Sequence, residues 1–308
     1  MTRFLLTRLF HGLAVLWVVV TLTFVLMRIT PGGPFDRERR LPPEVLANIA
    51  AKYHLDEPWL KQYSRYLTGI LKGDLGPSYK YLERNVSDIV IDTFPISALL
   101  GILALAFALI VSFPIGLCAA YYHNSWIDRW CMFLATLGTS LPHFILGALL
   151  IWLFSIQLGW LQAGRWENIT SAVLPMITLG AAPAAYLSYL LRSTLLETLG
   201  EDFIRTARAK GLKEITVLFK HALNNSLIPT LTVLGPLSAA LITGSFVVEY
   251  IFAIPGMGKF FITAVTDRDY PLIMGVTLVY TVLLVCANLL VDLCYSIVDP
   301  RIKSHDKD

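Results

Sequence analysis

The residue types and spacings most suited to specific chemistry lie in Glu201-Asp-Phe-Ile-Arg-Thr-Ala-Arg-Ala-Lys-Gly211, a charged helical stretch between two long apolar blocks. It holds no nucleophile beside a base, so its chemistry is that of a contact. Phe203, Ala207 and Gly211 fall at i, i+4 and i+8, so one face narrows from a ring to small residues that let a partner backbone approach. Gly211 suits a left-handed helix end. Beyond it, Ile215, Leu218, Phe219, Ala222 and Leu223 form a second stripe at helical spacing, opposite Lys213, Glu214 and Lys220. The pattern fits either a helix that docks on a partner protein or a loop that packs under its own membrane domain.

Other chemistry is sparse. Glu249, near the outer end of an apolar block, precedes Ile254-Pro-Gly-Met-Gly258, and Asp292 follows Asn288 by one turn. Ionisable groups at membrane depth face a bundle interior or a watery cavity, so both are candidates for a pathway or for interhelical hydrogen bonding. His143 reads as an interior histidine. Gly258-Lys259 is followed by Phe260 and forms no phosphate-binding loop, and neither H-E-x-x-H nor G-x-S-x-G occurs. With no paired intramembrane carboxylates either, nothing here hydrolyses ATP or a peptide bond. Transport by such a chain needs an ion gradient or an energising partner. Cys118, Cys131, Cys286 and Cys294 follow no ligand spacing and read as small packing residues, with no metal site.

The elements that must position these residues are membrane spans. Hydrophobic residues make up 56% of the 308 and charged residues 15%, against about 25% in soluble domains, and mean hydropathy is +0.62. Six blocks reach the length of about 20 residues that a bilayer requires: Phe10–Met27, Ala98–Tyr121, Met132–Leu158, Val173–Leu191, Thr230–Phe252 and Leu272–Ile297. Arg3 and Arg8 precede the first, which is too long for a signal core and lacks a cleavage motif, so it reads as a retained anchor. The net charge of +3 carries no nucleic-acid signature. Arg129, the basic residues from Arg192 to Lys220 and the tail at Arg301, Lys303 and Lys307 fall on one side, which puts both termini in the cytoplasm.

Residues 1–29 thus read as an anchor span, 30–97 as an external helical segment, and 98–308 as a five-span core with a cytoplasmic loop over about 193–228. In the external segment Pro43 starts a helix bearing Val45, Leu46, Ile49 and Tyr53, and a second stripe runs through Trp59, Tyr63, Tyr66, Leu67, Ile70 and Leu71. These faces must meet the membrane domain, lipid headgroups or a partner. Gly73-Asp74-Leu-Gly-Pro is a turn, and Asn85–Phe94 is expected to lie along the membrane surface. Pro114, Pro142, Pro175, Pro183 and Pro236 interrupt the spans, which favours a bundle that surrounds a pathway or must flex. Ser140, Pro142, Gly180, Pro183, Gly235, Ser238, Gly244 and Glu249 are the pathway candidates, together with Gly138 and Ala182.

The loop resembles that of permease subunits of ABC importers, whose signature is E-A-A-x-x-x-G-x9-I-x-L-P. With the glycine at Gly211, Arg205, Thr206 and Ala207 occupy the E-A-A positions, and only Leu223 matches the tail. Thr206-Ala-Arg-Ala-Lys-Gly-Leu212, His221-Ala-Leu-Asn-Asn and Ile228-Pro229 are similar to the dipeptide/oligopeptide branch. So are Val248-Glu-Tyr-Ile-Phe-Ala-Ile-Pro-Gly-Met-Gly258, Arg268-Asp-Tyr-Pro271 and Asp299-Pro-Arg301. Pro31-Gly-Gly-Pro-Phe35, Leu41-Pro-Pro-Glu44, Ala51-Lys-Tyr-His-Leu55 and Gly73-Asp-Leu-Gly-Pro-Ser78 resemble the B-type oligopeptide permease. The resemblance implies an all-α, six-span type I importer permease of the bacterial inner membrane that passes oligopeptides. It also implies a homologous second permease, two ATPases that hold ATP and Mg, and an extracytoplasmic peptide-binding protein. It assigns ATPase coupling to Phe203, Arg205, Thr206, Ala207, Arg208, Ala209, Lys210, Gly211 and Leu212. Trp59, Tyr63, Tyr66 and Asp74 become candidates for receiving the binding protein. Relatives that import dipeptides, glutathione or nickel share parts of these motifs, and a gradient-driven transporter or a membrane scaffold is the alternative outside the family.

Overall fold

The computed structural model describes residues 2–31, 44, 48, 51–81 and 83–298, with side chains between residues 6 and 290 of these. The Val45, Leu46 and Ile49 stripe, most of the motifs around 31–44, the Asp292 and Cys294 side chains and the basic tail lie outside them. The described elements are helices, with one isolated bridge between Pro77 and Asn85. Five helices are long and apolar enough to cross a membrane, and six spans result if the bent pair at Trp126–Gln157 is one. The all-α membrane architecture is as expected.

The chain divides into two compact units, and the first joins Met1–Ile96 to Pro255–Val285. The segment expected to be external therefore shares a unit with a stretch far along the sequence. Helix α1 (Thr2–Ile29) carries α2 (Trp59–Leu71). Phe24 and Tyr63 rings lie 5.2 Å apart, the Tyr63 hydroxyl meets Thr21 Oγ1 at 2.6 Å, and Arg28 donates to the Gln62 side chain. Asn85–Phe94 is no separate surface helix: α3 runs unbroken over 36 residues, Val86–Tyr121, a length of about 54 Å. Val86 and Ile89 are wholly buried, packed with Met257, Tyr270, Leu272 and Val276 from α10 (Met257–Asp267) and α11 (Tyr270–Val298). The buried face of Val86 and Ile89 holds this segment in the unit, with Ile91 exposed on the other side. Helix α10 ends at Arg268 in the left-handed conformation, φ 56°. That turn aims the wholly buried Asp269 at the loop over residues 78–80. Its carboxylate accepts from the Ser78 hydroxyl and from the backbone N–H groups of Tyr79 at 3.1 Å, Lys80 at 3.3 Å and Leu272 at 3.3 Å.

The second unit comprises Ser97–Ile254 and the chain from Cys286 onward. It contains α4 (Trp126–Ser140), α5 (His143–Leu150, extended by a π-helical turn to Gln157), α6 (Ile169–Leu199), α7 (Asp202–Ala209), α8 (Leu223–Ile242) and α9 (Phe246–Ile251). The span expected over Met132–Leu158, with Pro142 as its interruption, is bent there by 107°. Leu141 precedes proline and takes extended dihedrals, φ −89° and ψ 119°, because the proline ring excludes the helical conformation there. The span expected over Thr230–Phe252 also breaks, at Gly244 with φ 89°, and the Ser245 hydroxyl then accepts from Val248 N to cap α9. Asn168 starts α6 with a capping box through Ser171. Helix α6 is the centre of the unit. A Cβ on Gly180 would meet Ala104 O at 2.7 Å, and one on Gly138 would meet Ala181 O at 2.9 Å, so α3 and α4 press onto α6 at backbone distance.

Candidate functional site

The loop after α6 folds back on its own core. Asp202 opens α7, its backbone carbonyl accepts from Thr206 Oγ1 at 3.0 Å, and its carboxylate lies 3.3 Å from Arg205. Gly211 follows with φ 77° and nothing within 4 Å of where a Cβ would stand, so the helix ends left-handed as expected. Arg208 reaches back across that turn to Glu214, with contacts of 2.8 and 3.2 Å.

The face expected to hold Phe203 with Ala207 is divided. Ala207 points inward with Ile204, into a cluster with Val217 and Ala222, whereas Phe203 is 42% exposed. The second stripe divides too. Val217–Ala222 is π-helical, with more residues per turn than the 3.6 the spacing assumed. Val217, Leu218 and Ala222 are buried, while Ile215 and Phe219 are 69% and 51% exposed. The outer surface of the loop therefore presents Phe203, Leu212, Ile215 and Phe219 among Arg205, Arg208, Ala209, Lys210 and Lys213. Beside it, a cavity of about 310 Å³ lies between the ends of α6 and α8, lined by Thr194, Glu197, Glu201, Phe203, Asn225 and Pro229 among others.

The pathway candidates fall in different surroundings. Ser140 is exposed at the end of α4, and Pro142 caps α5 at the bend. Directly after it, His143 Nδ1 lies 3.0 Å from the Thr178 carbonyl, which makes it the interior histidine expected. Pro183, Gly235 and Ser238 are half-buried, and Ser238 donates to Gly235 O at 2.7 Å. Gly180 is buried in the α3–α6 contact, and Glu249 is wholly buried beside Gly244, so neither lies on a surface. Gly244 is close enough to Glu249 that a Cβ would stand 2.5 Å from its Oε1.

One cluster is absent from the expectations. Arg192 of α6 grips the buried Asp128 of α4 through Nε and a terminal nitrogen, each at 2.7 Å. Asn124 N donates to the same carboxylate at 3.0 Å, and His123 Nδ1 lies 3.2 Å from Arg192. Two ionisable residues at the ends of apolar helices are the sequence signal that could have paired them.

In the first unit, Trp59 and Asp74 are exposed, and Asp74 accepts from Gly76 N at 2.9 Å to shape its turn. Tyr63 packs on α1, and the buried Tyr66 hydroxyl has no hydrogen-bond partner among the described residues. These two rings thus form an inner face of α2 instead of a stripe open to a partner. Burial also raises the Tyr79 phenol to about 12. Desolvation pushes Glu57 up in the same way, yet the hydrogen bond from Lys61 and the charges of Arg65, Lys61 and His54 hold it below the usual carboxylate range.

The family model described as "Binding-protein-dependent transport system inner membrane component" matches residues 112–304, and that of its N-terminal part matches residues 1–101. The chain is 46% identical to the dipeptide transport system permease protein DppB of Bacillus subtilis over 100% of both chains. It is 43% identical to the oligopeptide transport system permease protein OppB of Haemophilus influenzae, covering 98% of this chain and 100% of that one. In Escherichia coli the corresponding OppB is 40% identical over the same shares. Two solved structures share the fold at 17% identity: an amino acid ABC transporter (TM-score 0.55, 67% of this chain and 92% of that one) and the inward-facing MetNI methionine ABC transporter (TM-score 0.52, 67% and 95%). A multi-pass helical chain matched from end to end, with a folded loop between its long apolar helices, belongs to the family of binding-protein-dependent transport system inner membrane components.

Proposed function

We propose that this chain is one of two homologous permease subunits through which an ATP-driven importer passes oligopeptides into the cytoplasm. Its end-to-end likeness to dipeptide and oligopeptide permeases supports the substrate class. The loop supports the energising partner. Ile204, Ala207, Val217 and Ala222 already complete its core, so Phe203, Leu212, Ile215 and Phe219 are surplus to folding and present apolar surface between cations. That composition suits a groove on an ATPase, two of which hold ATP and Mg while this chain binds no cofactor. Closure of the ATPases would then move α7, with Phe203–Leu212 as the contact, and tilt the spans. A peptide-binding protein delivers cargo from the opposite face, and both termini of this chain are cytoplasmic.

The test is peptide uptake into vesicles that hold this chain, its co-purified partners and ATP, with and without the binding protein. Uptake that needs both supports the proposal. Uptake driven by an ion gradient without ATP would sink it.

A further inference from the structure

Arg28 stands one residue from the end of α1, on a helix otherwise dressed for hydrocarbon. Leu22, Val25, Leu26 and Ile29 around it are exposed large apolar residues. An arginine at such a place ordinarily runs its stem along the helix to water. This one turns into the first unit and is half-buried there. Its guanidinium carbon stands 4.9 Å from the centre of the Phe24 ring and 5.7 Å from that of Tyr270, distances at which an aromatic face attracts a cation. One terminal nitrogen donates to Gln62 Oε1. Gln62 is itself buried and anchored, since its Nε2 donates to the carbonyls of Glu57 at 2.7 Å and Leu55 at 3.2 Å. The amide therefore fixes the guanidinium in place and supplies no charge.

The other N–H groups of Arg28 meet no acceptor among the described residues, and no carboxylate there pairs with it. Asp269 belongs to the same unit, but its oxygens are taken up by Ser78, Tyr79, Lys80 and Leu272. A second cation lies along the same run of rings. Tyr270 is 6.4 Å from Tyr79, Tyr79 is 4.7 Å from Tyr53, and Lys52 Nζ is 5.7 Å from the Tyr53 ring. Lys52 is exposed, and it too has no acid against it among the described residues. Two such charges, one of them partly desolvated, call for an anion. The guanidinium fork suits an oxyanion, and the neighbouring surface selects its carrier. The apolar row continues from the charge down the helix, and tyrosine rings are the residues of a membrane interface. We propose that Arg28 binds the phosphate of an anionic phospholipid, whose acyl chains lie along Leu22, Val25, Leu26 and Ile29. Lys52 draws the head group in. A zwitterionic head would bring its own cation beside Lys52, so an anionic lipid is preferred. With the N-terminus cytoplasmic, as proposed above, this lipid belongs to the outer leaflet. Bound there, it fastens the end of α1 to α2 through the Arg28–Gln62 contact.

The experiment takes the whole transporter from bilayers of phosphatidylglycerol and phosphatidylcholine in equal amounts and counts the retained lipids by native mass spectrometry. The unaltered complex is expected to keep phosphatidylglycerol over phosphatidylcholine by about tenfold. Arg28→Gln removes the charge but keeps an amide beside Gln62, and should lose about one phosphatidylglycerol per complex. Arg28→Lys should retain it. Because Arg28→Gln also alters the contact with α2, Ile29→Asp is the second variant. It changes an exposed residue, leaves Arg28 and Gln62 in place and sets a carboxylate beside the guanidinium, so the same lipid should be lost. Equal retention of the two lipids by the unaltered complex would overturn the inference, as would full retention of phosphatidylglycerol by both charge variants. Phosphatidylglycerol added to delipidated complex should raise its melting temperature, and inorganic phosphate should not. An equal rise with inorganic phosphate would make this a site for the free ion and remove the lipid. Cross-linking of Ile29→Cys to the second permease, with no lipid lost in Arg28→Gln, would make the face a subunit contact and overturn the inference as well.

Discussion

Asp269 takes the hydroxyl proton of Ser78 into a hydrogen bond across 191 residues of sequence, and so ties together two motifs that otherwise have no local reason to meet. The same carboxylate gathers the N–H groups of Tyr79 and Lys80 and caps α11 at Leu272. Asp269→Ala should therefore destabilise the first unit by about 2–4 kcal/mol, and Ser78→Ala by about 1 kcal/mol. Denaturant titration of the purified chain in detergent checks both. Equal, negligible losses would mean that the clasp does not hold the loop.

On the loop, burial separates residues that spacing had grouped. Phe203→Ala and Ile215→Ala remove exposed side chains, so stability should stay within about 0.5 kcal/mol while peptide-stimulated ATP hydrolysis and ATPase co-purification fall. Ala207→Glu would instead bury an unpaired charge beside Ile204 and Val217, at a cost of several kcal/mol, and unfold the loop whatever it docks on. Gly211→Val meets no atom of this chain, so its cost to folding is the left-handed strain of about 1–2 kcal/mol. Loss of coupling beyond that reports a partner. Unchanged hydrolysis in all the exposed-face variants would remove the loop from the coupling route.

Gly244 combines a left-handed backbone with a carboxylate where its side chain would be. Gly244→Ala should cost the strain of about 1–2 kcal/mol and an added clash with Glu249. Gly159→Ala, at φ 61° with nothing within 4 Å, measures the strain alone. If the two substitutions cost the same, Glu249 yields freely and the break is not tightly built.

Asp128 and Arg192 should be coupled. Asp128→Asn and Arg192→Gln should each destabilise by about 2–3 kcal/mol, since each leaves its partner's charge partly buried. The double variant should cost less than the sum by about 1–3 kcal/mol. Strict additivity in a double-mutant cycle would show that the grip carries no stability.

How far these features can be seen in the sequence depends on the range of the forces that set them. Apolar block length shows the spans, and Leu141-Pro142 and Gly244 show where they can break, because each acts on its own backbone. The inner face of the loop does not show. A π-helical turn at Val217–Ala222 shifts which residues face inward, so a stripe drawn at 3.6 residues per turn through Ile215 and Phe219 selects the solvent side. Tyr63 looks like a docking residue until Phe24 and Thr21 of α1 are found against it. Pairs such as Ser78 with Asp269 and Asp128 with Arg192 leave no periodic trace, since neither partner constrains its own neighbours.

The Arg192–Asp128 grip also has a place in time. The two residues are 64 apart, so at ordinary synthesis rates about 3–13 s separate their emergence from the ribosome. Through that interval α4 carries a carboxylate without its arginine. Asn124 N and the Ser125 cap are encoded beside it and can already hold the start of the helix. Arrival of Arg192 closes the grip only once α6 lies against α4. Formation of this pair thus marks the docking of α6 on α4 during biogenesis, and a chain truncated before residue 192 would leave Asp128 as a lone charge for quality control to find.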